Sequence, residues 1–249
     1  FSHGGIMRGE FDELYNALFS NAELYISVVK ALAQHHDGMT RTEISKVIGA
    51  NGGTLTRVLT NLERCDFISR SQNFGCKTKD TIYRLMDFYT LFYYKFIAQD
   101  TSGDEQWWSH NFESRLVSTW QGLTFEIVCL MHTDCIKKAL GISGMATEVS
   151  SWRKVADDKQ RGGQIDLVIK RADRIVHLCE MKFSKSEYRI TDAYEQLLRQ
   201  RMELFQSSTK TKLSLVITFV TTYGVADGLH HSIVHSEVTM SQLFIRNVT

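Results

Sequence analysis

Between Gly162 and Phe183 the chain reads GGQIDLVIKRADRIVHLCEMKF, and few folds can accept such a stretch. Two near-continuous apolar runs flank a short charged turn, Arg171-Ala172-Asp173-Arg174. Apolar runs of this length, bounded by turn residues, predict buried strands, here paired as a hairpin inside a sheet. Asp166, Glu180 and Lys182 interrupt the apolar pattern. Side chains two apart on a strand share a face, so Glu180 and Lys182 point the same way. A three-residue turn places Asp166 opposite Glu180, whereas a two-residue turn shifts the pairing by one.

Carboxylates in a core hairpin need a proton, a partner or a cation. Two of them side by side suit a hard divalent ion, Mg²⁺ or Mn²⁺, which prefers oxygen ligands and keeps several waters. A lysine beside metal-bound water would position or deprotonate it, or neutralise charge developing on a phosphate. These parts specify metal-assisted phosphodiester hydrolysis, with Asp166, Glu180 and Lys182 as catalytic residues. A structural salt bridge, with Lys182 pairing both acids, is the competing reading. Glu126 lies in an otherwise apolar part of a helix predicted over Asn111–Met131, and its partly buried carboxylate needs a partner, a proton or a metal.

The first hundred residues carry a different pattern. Apolar residues recur at helical spacing in Glu10–Leu18 and Ala22–Ala33. Thr40 and Glu43 form a capping-box signature for a short helix that Gly49 ends. A third helix, TLTRVLTNLERC, places Leu55, Val58, Leu59 and Leu62 on one stripe, with Thr56, Arg57, Thr60, Asn61 and Arg64 mostly opposite. Alternating strands are predicted around Asp66–Arg70 and Thr81–Leu85, joined by a polar loop holding Gly75, Lys77 and Lys79. Three helices followed by a basic hairpin is the order of a winged helix-turn-helix. In that fold the third helix reads the major groove and the wing touches phosphate. Thr56, Arg57, Thr60 and Asn61 are then the base-facing candidates, and Arg70, Lys77 and Lys79 the phosphate candidates. The dense aromatics from Tyr83 to Ile97 read as packing that joins two domains.

Composition fits this reading. With 43% hydrophobic and 23% charged residues, the chain is globular rather than disordered. Its net charge of +1 hides a basic stretch from Arg153 to Lys212, compatible with nucleic acid. No apolar run approaches the ~20 residues of a membrane helix. Five cysteines without a CxxC pair, and first residues that do not read as a secretory leader, predict a reducing cytoplasm as the compartment. The sequence lacks proline, opens on Phe rather than Met, and is read as a fragment or a tagged form. The Cys129–Cys135 and His230–His235 clusters lack zinc-site spacing and read as packing or surface.

Glu126 on a helix, Gly163-x-x-Asp166 and Glu180-x-Lys182 together resemble the PD-(D/E)xK nuclease superfamily, the restriction-endonuclease and Holliday-resolvase fold. The whole chain resembles the C-terminal half of archaeal and bacterial AAA-type ATPases, in which a winged helix and a nuclease-like domain follow the ATPase domain. Further matching pieces are Phe11–Phe19, the run Thr40–Ile44, Tyr83-x-x-Met86-Asp87-Phe88, Trp120–Glu126 and Thr221-Thr222-Tyr223-Gly224. The resemblance implies an α/β protein with a winged-helix domain over residues 1–100 and a PD-(D/E)xK domain with a mixed sheet over 101–249. It implies Asp166, Glu180 and Glu126 as metal ligands, Lys182 as the catalytic lysine, and DNA as the partner. Ile165 replaces the name-giving proline without removing a ligand. No GxxxxGK[ST] motif occurs, so ATP binding falls to a domain upstream of this sequence. A non-catalytic DNA- or protein-binding regulatory module is the alternative reading, and an oligomer is left open.

Overall fold

Apolar residues at helical spacing build the N-terminal helices, α1 (Ile6–Leu18) and α2 (Ala22–Ala33), whose inner faces hold Phe11, Tyr15, Val28, Val29 and Leu32. The computed structural model describes residues 6–76, 80–156 and 161–244. They divide into two units. One comprises the described residues up to Ser71 and from Asp80 to Ser118; the other comprises Gln72–Cys76 and everything from Thr119 onward.

In the first unit, β1 (Met39–Thr40) leads into α3 (Arg41–Ile48), and the capping box forms as its residues predict. The Thr40 backbone amide donates to Glu43 Oε2 at 2.7 Å, the Glu43 amide donates to Thr40 Oγ1 at 3.2 Å, and Gly49 closes the helix left-handed. Helix α4 (Gly52–Arg64) buries Leu55, Val58, Leu59 and Leu62. β2 (Ile68–Ser71) and β3 (Ile82–Leu85) complete a small antiparallel sheet in the order β1-β3-β2. Gly38 allows β1 to approach β3: its φ is +78°, and a Cβ there would lie 2.5 Å from Ile82 Cγ2.

Asp87 caps α5 (Phe88–Phe92), which loosens into a π-turn over Tyr93–Ile97 before α6 (Trp107–Asn111). The aromatics here pack inside the first unit. Tyr93 stacks on Phe11 at 3.9 Å, and Phe96 meets Trp107 and Trp108. Those tryptophans carry the first unit past residue 100, to Ser118.

The second unit is a mixed five-stranded sheet with helices. The helix predicted from Asn111 starts later, as α7 (Arg115–Met131), because the Ser114 hydroxyl accepts from the Val117 amide at 3.3 Å and caps it. After α8 (Thr133–Ala139) come β4 (Thr147–Lys154), β5 (Gly163–Arg171) and β6 (Ile175–Lys182). Helix α9 (Asp192–Thr209) crosses to β7 (Ser214–Thr221), and β8 (Val234–Thr239) and α10 (Met240–Leu243) close the chain. Strand order follows sequence order, β4 to β8, antiparallel through β6 and parallel beyond it. A core on one side joins Leu167, Ile169, Cys179 and Met181 to Phe125 and Cys129 of α7; the other joins Val168, Val176, Leu178 and Phe219 to Leu198 and Phe205 of α9.

Residues 72–76 extend this sheet at its β4 edge. Ser151 donates to the Gln72 carbonyl at 3.0 Å and accepts from the Phe74 amide at 2.8 Å. The Asn73 side chain accepts from the Arg153 amide and donates to the Arg153 carbonyl, at 3.0 and 3.3 Å, and Phe74 packs on Phe205. Part of the loop expected to form a DNA-touching wing is therefore a sheet-edge strap in the second unit. Among the described residues no helix is long and apolar enough to cross a membrane, and all five cysteines are free thiols.

Candidate functional site

The turn Ala172-Asp173-Arg174 sets the register of the hairpin. Lys170 faces Val176, Ile169 faces His177 and Leu167 faces Cys179, so an unbroken ladder would next place Asp166 opposite Glu180. It does not continue. On its other edge β5 bulges: Val168 pairs with Ser150, but Ile165, three residues back, pairs with Trp152, only two residues on. The extra residue changes which way the strand's side chains point. A Cβ at Gly163 would face Leu204 of α9, and Ile165 lies in the α9-side core, as does Val168. Gln164 and Asp166 alternate with these two, and the Gln164 amide donates to Asp166 Oδ1 at 2.7 Å. Asp166 therefore leaves the strand on the side away from α9.

Glu180 points the other way. It follows Leu178 on the α9 side and is 9% exposed. Lys182 Nζ lies 2.9 Å from its Oε1, and the Tyr194 hydroxyl donates to the same oxygen. Arg201 Nη1 donates to Oε2 at 2.5 Å. Tyr194 and Arg201 sit seven residues apart on α9, two helical turns, so both side chains descend on the sheet from one face. Lys182 also stands over the Tyr194 ring, 5.3 Å from its centroid. Burial works against the Lys182 charge, but the charge and hydrogen bond of Glu180, with lesser contributions from Tyr188 and Glu126, outweigh it and raise the pKa. Burial and then the Glu180 charge hold the Tyr194 hydroxyl protonated well above its ordinary range.

The structure thus brings together Glu180 and Lys182 of the four predicted site residues in this unit. It brings Glu126 within electrostatic reach of Lys182 and turns Asp166 to the opposite face. Among the described residues, no three Asp, Glu, His or Cys side chains converge as a metal site. As placed, Asp166 and Glu180 do not fit as ligands of one divalent ion, and the oxygens of Glu180 already face two cations and a hydroxyl. Sequence reasoning missed Arg201 and Tyr194. Their seven-residue spacing on α9 is visible in the sequence, but nothing in it shows that this face of the helix meets Glu180. Gln196, also on α9, bonds Asp192 on the helix surface.

In the first unit, Thr56 and Arg57 are exposed on α4. The Thr56 hydroxyl donates to the Gly52 carbonyl and accepts from Arg41, at 3.2 and 3.3 Å. Thr60 is half-buried, and Asn61 turns inward to donate to the Tyr25 hydroxyl at 2.8 Å, so it is not presented as a base reader. Arg70 is mostly exposed and pairs with Glu63 at 2.9 Å. Lys77 and Lys79 lie outside the described residues. No family model matches the chain, and no curated protein is significantly similar to it.

Proposed function

We propose that the chain is a DNA-binding regulatory module of an AAA-type ATPase, built from a winged helix and a PD-(D/E)xK-like domain whose charged residues serve folding rather than catalysis. The observation that carries this choice is the state of Glu180. Lys182, Tyr194 and Arg201 occupy its two oxygens while Asp166 faces the other side of the sheet. A carboxylate so compensated needs no metal. The order of helices around the β1-β3-β2 sheet supports the winged helix, and the exposed Thr56 and Arg57 of α4 support DNA as its partner. ATP would be bound by a domain upstream of this sequence, in the cytoplasm.

One observation favours a second reading, a Mg²⁺- or Mn²⁺-dependent DNA endonuclease. Glu180 and Lys182 lie near the carboxyl end of β6, where parallel strands commonly gather ligands, and Lys182 feels the charge of Glu126. Incubating the intact chain with linear and branched DNA in Mg²⁺ or Mn²⁺ separates the two. The regulatory reading expects binding, followed by fluorescence anisotropy, without cutting. Arg57→Ala is expected to weaken binding by about 1 kcal/mol or more and to flatten its salt dependence. Cutting that disappears in Asp166→Ala and Lys182→Ala would establish the nuclease instead.

A further inference from the structure

We propose that Arg201 is a built-in counter-cation that shuts Glu180 to divalent metal, an inference that rests on the structural reading of the Glu180 cluster. A divalent ion at Glu180 must reach a carboxylate lone pair. Oε1 is shared by Lys182 Nζ at 2.9 Å and the Tyr194 hydroxyl, and Oε2 is taken by Arg201 Nη1 at 2.5 Å. The guanidinium cannot swing away easily, because α9 is anchored on both sides of it by Leu198 and Phe205, both essentially inaccessible to solvent. The space beside Glu180, bounded by Ile165, Leu178, Leu198, Arg201 and Met202, holds about 10 Å³, scarcely one water. Magnesium keeps several waters of its own and would not fit there. Oε2 is thus the one oxygen of Glu180 not shared with Lys182, and Arg201 covers it.

Replacing Arg201 with a neutral oxygen donor should therefore open the carboxylate to a metal. Thermal midpoints of the intact chain would be measured against Mn²⁺ for wild type, Arg201→Gln, Glu180→Gln and the double variant. Wild type should respond to Mn²⁺ no more than Glu180→Gln does. Arg201→Gln should start less stable and then gain about 3 °C or more at tenfold excess over its Kd, a gain absent from the double variant. Should Arg201→Gln fail to fold, Arg201→Lys, which reaches less far, should give a smaller rise of the same kind. No Mn²⁺ response in the folded Arg201 variant overturns the proposal and leaves the structural reading of Glu180 intact. A Glu180-dependent response already present in wild type overturns both, and returns the site to metal chemistry.

Discussion

Glu180 has one buried carboxylate and two cationic neighbours, and the balance between them sets what its loss would do. Glu180→Gln keeps the shape but leaves Lys182 and Arg201 facing each other without an anion. Removing one partner of a buried ion pair typically costs about 3–5 kcal/mol. We expect a loss near the lower end of that range in urea unfolding, unchanged by added Mg²⁺, and a smaller loss for Asp166→Asn on the opposite face. A gain in stability from either change would mark the acids as strained for function instead. A second buried polar group gives a pH prediction. His177 on β6 is 1% exposed; its Nδ1 lies 2.8 Å from Thr218 Oγ1 and its Nε2 3.3 Å from Arg171. Burial first, then the charges of Arg171 and His235, lower its pKa to about 4, with Asp173 opposing. The unfolded chain therefore binds a proton that the folded chain refuses. The stability His177 provides is complete above about pH 6.5 and is lost as the pH falls toward 4, on the order of 3 kcal/mol in all. Thermal midpoints of wild type and His177→Gln across that window should converge at the acid end. Of the Glu180 cluster, only the Lys182 partnership was legible in the sequence, because two-residue spacing on a strand fixes a shared face. Arg201 lies 21 residues away on another element, and which strand side α9 covers is decided by packing.

The elements legible in the sequence are those with helical periodicity or a long apolar run, among them α2, α4, β5 and β6. β4 and β8 were not foreseen. TEVSSWRK alternates poorly, and VHSEVT is a polar edge strand whose place comes from its parallel partner β7. The β5 bulge was equally hidden. It has no marker residue, and it turns Asp166 away from the acid that the register alone would place opposite it. Two substitutions test the packing of elements. Gly38→Ala forces a left-handed side chain against Ile82 and the Tyr83 carbonyl and should destabilise the first unit by about 1–3 kcal/mol or more. Phe205→Ala empties a fully buried site beneath α9, touching Trp152 and Phe74, and should cost the second unit about 3–5 kcal/mol. Differential scanning calorimetry resolves both if the units melt separately.

At the scale of the whole molecule, the domain boundary expected near residue 100 was legible only in outline. The aromatic helix and the two tryptophans prolong the first unit to Ser118, and Gln72–Cys76 from within the hairpin loop belong to the second. Asn73→Ala removes both side-chain bonds to the Arg153 backbone, and Phe74→Ala removes an aromatic pair with Phe205 worth about 0.5–1.5 kcal/mol. Both changes should lower the melting of the second unit while sparing the first, although they lie among first-unit residues in sequence. An effect confined to the first unit would contradict the strap. The strap also imposes an order on synthesis. Phe74 leaves the ribosome ahead of Ser151, and at ~5–20 residues per second that interval lasts roughly 4–15 s. For those seconds the nascent hairpin carries an unclaimed tip, and the later sheet must capture a segment whose flanks are already committed to the earlier unit.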